Sequence, residues 1–205
     1  MEMKNQILNV LKKTSQLVLV LLIALSIANC SKDDAPVAQS NTPAPVAEQN
    51  PLAGFLSASG FNQKSTVVYG TIGERGLSFI PLVDGKMTAI TVKVPVAKNG
   101  IRVLIWDKTD TTLLRTETIN VPTANEETTK TIEAINMVKN KEYIICFSVN
   151  DSYVRERTDA SNVTYPFTVD DIKITGYLET SNLGNMPNLT RVSFYSGDCS
   201  FKFKK

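Results

Sequence analysis

Histidine is absent from the 205 residues of this chain, and its absence removes whole classes of chemistry. Serine–histidine and cysteine–histidine catalysis, zinc sites with histidine ligands and the usual neutral-pH proton shuttle all need an imidazole. The groups that could still do chemistry are three cysteines, one tryptophan, the tyrosines and the carboxylates in turns. These groups favour lipid attachment, disulfide formation, ligand stacking and cation binding over acid–base catalysis.

Two cysteines, Cys146 and Cys199, fall in or beside strand-like segments far apart in the sequence. Exported proteins commonly form disulfides, and distant strands of a sandwich are often brought side by side. The sequence therefore predicts a disulfide between them, which would stabilise the fold by roughly 4 kcal/mol in the chain-entropy model. The alternative is a buried free Cys146 with an exposed or half-buried Cys199.

Three aromatic residues are candidate ligand contacts. Trp106 faces away from the alternating apolar residues of 101–105 if that strand is regular. An exposed indole can stack on the apolar face of a sugar ring, because C–H groups favour the negative face of the aromatic ring. We therefore predict ligand contacts at Trp106, Tyr153 and Tyr165, with burial in the core as the alternative.

Carboxylates cluster in predicted turns, at Asp107 and Asp110 and again at Asp170 and Asp171. Calcium takes six to eight oxygen ligands, so these four residues are candidate calcium ligands, although no EF-hand spacing is present. The alternative is solvated turn acids with no cofactor. Two carboxylates could also form a glycosidase pair, but that needs a raised pKa and a defined separation in a cleft. We expect no catalytic residue and no enzymatic activity.

Charge is balanced outside the N-terminal segment. Of 22 basic and 20 acidic residues, Lys4, Lys12, Lys13 and Glu2 lie in the first 29, which leaves 19 of each sign. A nucleic-acid-binding protein would show a clustered basic excess. The sequence therefore predicts no nucleic-acid partner.

The first 29 residues have the layout of a secretory signal peptide. Three lysines precede an apolar run at residues 17–25, and small residues follow at Ser26 and Ala28. The apolar run is shorter than the roughly 20 residues that a membrane span needs. We expect this segment to be absent from the mature protein.

The next residues, Ile27-Ala28-Asn29-Cys30, resemble the lipobox of bacterial lipoproteins. The resemblance implies that the Cys30 thiol receives a diacylglycerol and becomes the first residue after cleavage. Two or three acyl chains hold a protein persistently on a membrane, whereas one chain does not. The alternative is an ordinary signal peptide with an incidental cysteine.

Cys30 is followed by Ser31-Lys32-Asp33-Asp34, which resembles the export signal of Bacteroidetes-type surface lipoproteins. The resemblance implies an outer-membrane lipoprotein exposed at the cell surface, with a periplasm-facing location as the alternative. Residues 30–51 are rich in proline and alanine, and such a segment cannot bury enough apolar surface to fold. We predict that they form a disordered tether.

Residues 52–205 form one predicted domain, in which the apolar pattern mostly has the period of two that strands require. The predicted strands are 86–94, 101–106, 113–121, 128–135, 142–149, 171–178, 190–195 and 200–204. Turn residues separate them, and short alternating strands at this spacing favour an antiparallel β-sandwich. We expect an all-β domain without a long helix.

Several segments of this domain share a pattern of glycine, apolar and aromatic positions. They are Gly76-Leu77-Ser78-Phe79, residues 85–90, residues 103–107, Thr112-Leu113-Leu114 and Lys141-Glu142-Tyr143. Over residues 68–205 the pattern resembles a jelly-roll domain of unknown function found in secreted bacterial proteins, often beside carbohydrate-active modules. The resemblance implies a jelly-roll-like sandwich near carbohydrate.

Together these features predict a membrane-anchored, non-catalytic binding module whose ligand is an extracellular glycan. A structural or adhesion component that binds other cell-surface proteins is the first alternative. A carbohydrate-active hydrolase is the second.

Overall fold

The computed structural model describes residues 47–205, which form an all-β sandwich of two antiparallel sheets, as predicted. The described residues contain one helix, α1 (Pro51–Ser59). The strands are β1 (Lys64–Pro81), β2 (Gly85–Lys93), β3 (Lys98–Asp107), β4 (Thr112–Val121), β5 (Thr128–Met137), β6 (Tyr143–Glu156), β7 (Phe167–Val169), β8 (Ile172–Thr180), β9 (Leu189–Arg191), β10 (Tyr195–Ser196) and β11 (Asp198–Lys204).

The larger sheet has the strand order β4-β3-β6-β1-β8-β7, with β10 paired to β6 and β9 paired to β8. The smaller sheet has the order β11-β2-β5. The strand pairs are antiparallel. The first and last long strands therefore belong to different sheets, and the core lies between the sheets.

Alternation decides which side chains enter this core. On β3, Ile101, Val103 and Ile105 are buried in it, as the sequence pattern predicts. The aromatic residues of the core make close contacts between the sheets, and Phe79 of β1 stacks on Phe201 of β11 with ring centroids 4.3 Å apart. Burial of such apolar surface on the inner faces is the main force that holds the two sheets together.

Helix α1 was not predicted from the sequence. The Asn50 side chain accepts a hydrogen bond from the Leu52 amide, Pro51 occupies the first turn, and Gly60 ends the helix with a φ of 78°. These are the residue types that start and stop helices. Phe55 is fully buried and makes an edge-to-face contact with Tyr195. The helix contacts β7 and β11, so it closes one side of the sandwich.

The opposite side is bridged by charges on β4 and β5. Arg115 of β4 lies 3.2 Å from Glu133 of β5, and Lys130 of β5 lies 2.8 Å from Glu117 of β4. Charged side chains on edge strands also discourage pairing with another chain. The ion pairs are partly exposed, so each contributes no more than about 1 kcal/mol.

The chain joins the sandwich at Gln49, whose amide and carbonyl exchange hydrogen bonds of 2.8 and 2.9 Å with Phe203. The last residues of the predicted 30–51 tether therefore have defined contacts here, and Pro51 already belongs to α1. The predicted signal peptide, the lipidation site at Cys30 and the tether up to residue 46 lie outside the described residues. No helix within residues 47–205 has the length and apolarity needed to cross a bilayer.

Candidate functional site

Trp106 lies on the outer face of the larger sheet, opposite the core, as the regular alternation of β3 predicts. It is half-buried and covers a small apolar cluster on this face. The cluster consists of Leu104, Ile144, Cys146 and Leu178, with Trp106 and Met186 packed against it. Trp106 is therefore neither a core residue nor a freely exposed one.

Strand register places a row of side chains across this face. Trp106 pairs with Ile144 of β6, Ile144 pairs with Ser78 of β1, and Ser78 pairs with Gly176 of β8. Neighbouring strands lie about 4.8 Å apart, so the row spans about 14 Å. We call this outer surface, with Trp106, Ile144, Ser78 and the polar group described next, the Trp106 face.

A polar group lies about two residues along the strands from Trp106, which corresponds to about 7 Å. Glu142 is its centre, and Oε1 of Glu142 accepts hydrogen bonds from Thr175 Oγ1 at 2.5 Å, Ser78 Oγ at 2.8 Å and Lys108 Nζ at 3.0 Å. The Lys108 and Glu142 side chains are 33% and 27% exposed to solvent, so a ligand on this face can reach both.

The charge state of Glu142 follows from these contacts. Burial alone would raise the pKa of its carboxyl, but hydrogen bonds from Thr175, Lys108 and Ser78 favour the ionised form and outweigh burial. The pKa of Glu142 therefore lies below its ordinary value, and the residue is a carboxylate at neutral pH. A carboxylate accepts hydrogen bonds, and the Lys108 ammonium donates them.

A second, buried polar group supports the far side of the face. Glu74 is fully buried and pairs with Arg102 Nη2 at 2.5 Å, while Ser148 Oγ donates to its other oxygen at 2.8 Å. The backbone amide of Gly184 also donates to Glu74, at 2.8 Å. Loop 181–188 is thereby fixed against the outer face, where its Met186 joins the apolar cluster.

Gly76 keeps the centre of the larger sheet free of side-chain bulk on this face. It pairs with Cys146 on β6 and with Leu178 on β8. A Cβ atom at this position would lie 1.8 Å from the backbone oxygen of Ile145, far inside van der Waals contact. Only glycine fits here, because β1 and β6 approach each other closely at this point.

The other two aromatic residues predicted as ligand contacts pack against the protein itself. Tyr153 is 8% exposed, its hydroxyl donates to Asn125, and its ring lies beside the cationic groups of Lys93 and Arg155. Tyr165 stacks on Phe55 at 6.1 Å, and burial raises the pKa of its hydroxyl. Tyr153 is buried, whereas Tyr165 is partly buried and packs against the core beside Phe55 and Phe167.

The predicted disulfide is wrong, because Cys146 and Cys199 are both free thiols in the structure. Cys146 belongs to the apolar cluster on the outer face of the larger sheet, whereas Cys199 lies in the main core. Burial raises the pKa of both thiols. Side chains that alternate to different faces do not meet, although their strands lie in the same sandwich.

The four predicted calcium ligands form two separate groups, each with a lysine. Asp107 and Asp110 both pair with Lys141. Asp171 pairs with Lys205 at 2.9 Å and accepts a hydrogen bond from Gln49 at 2.6 Å, while the exposed Asp170 has a φ of 49° in the preceding turn. Within the part of the chain that the structure describes, no three histidine, cysteine or acidic residues are grouped as metal ligands.

The pKa of Asp107 shows how the lysine acts there. Burial would raise it, but hydrogen bonds from Lys141 and from the Asp110 amide lower it below its ordinary value. The lysine ammonium thus occupies the place beside these carboxylates that a cation would take.

The surface also has two clefts. One of about 880 Å³ lies at an end of the smaller sheet, and its lining includes Lys86, Thr88, Asn136 and Lys204. One of about 220 Å³ lies beside β1 and β8, and its lining includes Arg75, Glu179 and Arg191. No sequence pattern predicted either cleft, because their walls come from strands that are distant in the sequence.

Neither a protein-family model nor a curated protein matches the chain. The case for function therefore rests on the geometry of the Trp106 face and on the sequence motifs.

Proposed function

We propose that this protein is an anchored, non-catalytic binding module that holds an extracellular glycan on its Trp106 face. The observation that carries the proposal is the position of Trp106 on the outer sheet face, beside the accessible Lys108–Glu142 pair. An apolar aromatic surface with a few fixed polar groups is the usual composition of a small-molecule site.

Each part of the face has a role in this proposal. The indole ring supplies an apolar surface for the C–H groups of a sugar ring. Glu142 supplies an acceptor and Lys108 supplies a donor for sugar hydroxyls. Because Ser78 and Thr175 already hold Glu142 in place, little side-chain entropy is lost when a sugar binds.

The proposed location is the cell surface, at the outer leaflet of an outer membrane. The Ile27-Ala28-Asn29-Cys30 motif supports lipidation at Cys30, and Ser31-Lys32-Asp33-Asp34 supports export to the surface. A jelly-roll-like module near carbohydrate is what the resemblance of residues 68–205 implies. A lipid anchor would hold such a module at the surface where it meets extracellular polymers.

A glycan-array screen of the full chain, purified in detergent, tests this proposal. We expect binding to at least one glycan class, and Trp106→Ala should weaken it by at least about tenfold because the stacking surface is lost. Val96→Ala removes an exposed apolar side chain elsewhere and is the matched control. Uniform absence of binding, or equal binding by Trp106→Ala and the parent, would contradict the proposal.

A second candidate function is a protein-binding component of the envelope. It is favoured by the N-terminal half of β1, where Val67, Val68 and Ile72 are exposed by 41%, 45% and 47%. Among the described strands, β8 pairs with β1 only from Glu74 onward, so the earlier part of β1 has a free edge on that side. An exposed apolar edge can accept a strand from a partner.

Cross-linking on intact cells separates the two candidates. Recovery of one dominant protein partner, reduced by Val68→Lys but not by Trp106→Ala, would favour the protein-binding function. Loss of glycan binding in Trp106→Ala, without a dominant cross-linked protein, would favour the glycan-binding module.

A further inference from the structure

We propose that the outer face of the smaller sheet rests on an anionic lipid surface. We call this surface the lysine face, and it consists of Lys86, Lys202, Lys204 and Lys205. The inference rests on the proposed anchorage of the chain, and it adds an orientation to it. Basic side chains close to an anionic lipid surface are attracted to its headgroups.

The geometry of the lysine face comes from two adjacent strands. Lys86 of β2 pairs directly with Lys204 of β11, and both side chains are exposed. Lys202 alternates with the buried Phe201 and Phe203 and therefore also lies on the outer face. Like charges directly opposite each other across two strands destabilise a sheet. Contact with a negatively charged surface would relieve this cost.

Protection of an exposed sheet edge does not account for all of these lysines. Lysines on an edge strand discourage aggregation, and β11 is an edge strand of the smaller sheet. Lys86, however, lies on β2, which is the central strand of that sheet. Its charge protects no edge.

Glu48, Asp84 and Asp171 lie near the lysine face, and of these three only Asp171 forms an ion pair with one of its lysines. Glu48 accepts a hydrogen bond from Thr88 at 2.6 Å, and Asp84 accepts one from the Lys139 amide at 2.7 Å. Asp171 pairs with Lys205 at 2.9 Å. Within residues 47–205, no carboxylate forms an ion pair with Lys86, Lys202 or Lys204.

The chain reaches the sandwich on this side. Gln49 pairs with Phe203 of β11, and the preceding residue, Glu48, contacts Thr88 on β2 beside the lysines. With lipid on Cys30, only residues 31–46 separate the membrane from this end of the domain. The lysine face therefore lies beside the point at which the proposed anchored segment enters the domain.

The two outer faces of the sandwich point in opposite directions. If the lysine face lies on the lipid, the Trp106 face on the other sheet is directed away from the membrane. The domain would then present its glycan site outward, with the orientation set by charge.

Site-resolved amine labelling tests the orientation on the full chain. The protein is purified from membranes in detergent and reconstituted into vesicles of phosphatidylcholine, with or without phosphatidylglycerol. A membrane-impermeant acylating reagent then labels exposed lysines, and mass spectrometry gives the rate at each position. We expect Lys86 and Lys204 to be labelled about fivefold more slowly on the anionic vesicles. Salt at about 1 M should abolish the difference.

Lys64 and Lys173 on the larger sheet are internal controls and should be labelled at equal rates on both vesicle types. Equal labelling rates of Lys86 and Lys204 on the two vesicle types would overturn the inference. They would favour an acidic protein as the partner of this face. Slowing of the control lysines to the same extent would also overturn it, because the domain would then lie in no preferred orientation. Glycan binding is measured separately in detergent, so failure of that proposal leaves this result unaffected.

Discussion

Glu142 is the residue whose ionisation links the Trp106 face to the stability of the fold. Because its pKa is lowered in the folded state, its carboxylate stabilises the protein at pH values above the ordinary pKa of 4.5. This contribution is lost as the pH falls through the folded-state pKa. The same hydrogen bonds that orient Glu142 for a ligand therefore make the fold sensitive to acid.

Replacing Glu142 with glutamine tests this link. We expect Glu142→Gln to lose stability at neutral pH, because a neutral amide pairs less strongly with Lys108. The variant should also show a smaller drop in urea midpoint between neutral pH and acid than the parent does. Glu126→Gln, at an exposed position, is the control. An unchanged acid dependence in Glu142→Gln would contradict the assignment.

Gly76 is the residue on which the close approach of β1 and β6 depends. An alanine there would press its Cβ onto the Ile145 carbonyl, a backbone atom that cannot move aside. We expect Gly76→Ala to lower the free energy of unfolding by about 3 kcal/mol or more. Gly176→Ala should be tolerated, because its Cβ would find no atom closer than 3.7 Å. Urea denaturation of both variants decides the point, and equal stabilities would contradict the account.

Helix α1 is the element that closes the sandwich between β7 and β11. Its Phe55 is fully buried among aromatic rings, so Phe55→Ala should lower the free energy of unfolding by about 3–5 kcal/mol. Ser57→Ala changes an exposed side chain of the same helix and should leave stability nearly unchanged. If Phe55→Ala unfolds at the same denaturant concentration as Ser57→Ala, the helix is not part of the core.

Strands were predictable from sequence where one face is buried and the other is exposed. On β3 the alternation of Ile101, Val103 and Ile105 fixes both the strand and the outward position of Trp106. Strand β1 was not predicted. Where burial is described, the residues of its first half are exposed on both faces and most of its second half is buried on both faces, and three glycines interrupt it, so it shows no period of two.

The candidate site was predictable only in part, for a related reason. Alternation places Trp106 and, two residues later, Lys108 on one face, but it does not show that Glu142 lies beside them, because Glu142 precedes the distant strand β6. Tyr153 lies near the end of β6, where consecutive residues are buried, and Tyr165 lies outside the strands, so no period separates exposed from buried positions at either residue. Cys146 and Cys199 lie on strands of different sheets. Sequence spacing does not show whether their side chains point towards each other.

At the scale of the whole molecule, the sandwich has two outer faces of different chemistry. One carries an aromatic residue with a fixed acceptor and donor, and the other carries lysines beside the point where the chain joins the domain. This division suits a module that is held at a surface on one side and meets its ligand on the other. The account predicts that changes on one face leave the function of the other intact.

Trp106 is the only tryptophan in the chain, so its fluorescence reports on the Trp106 face alone. Titration of the full chain with the glycan class selected on the array tests the central claim most directly. We predict that the emission shifts to shorter wavelength and that acrylamide quenches it less as the glycan binds, because a sugar ring covers the indole. Binding that saturates with no change in emission or quenching would place the ligand elsewhere and contradict the account.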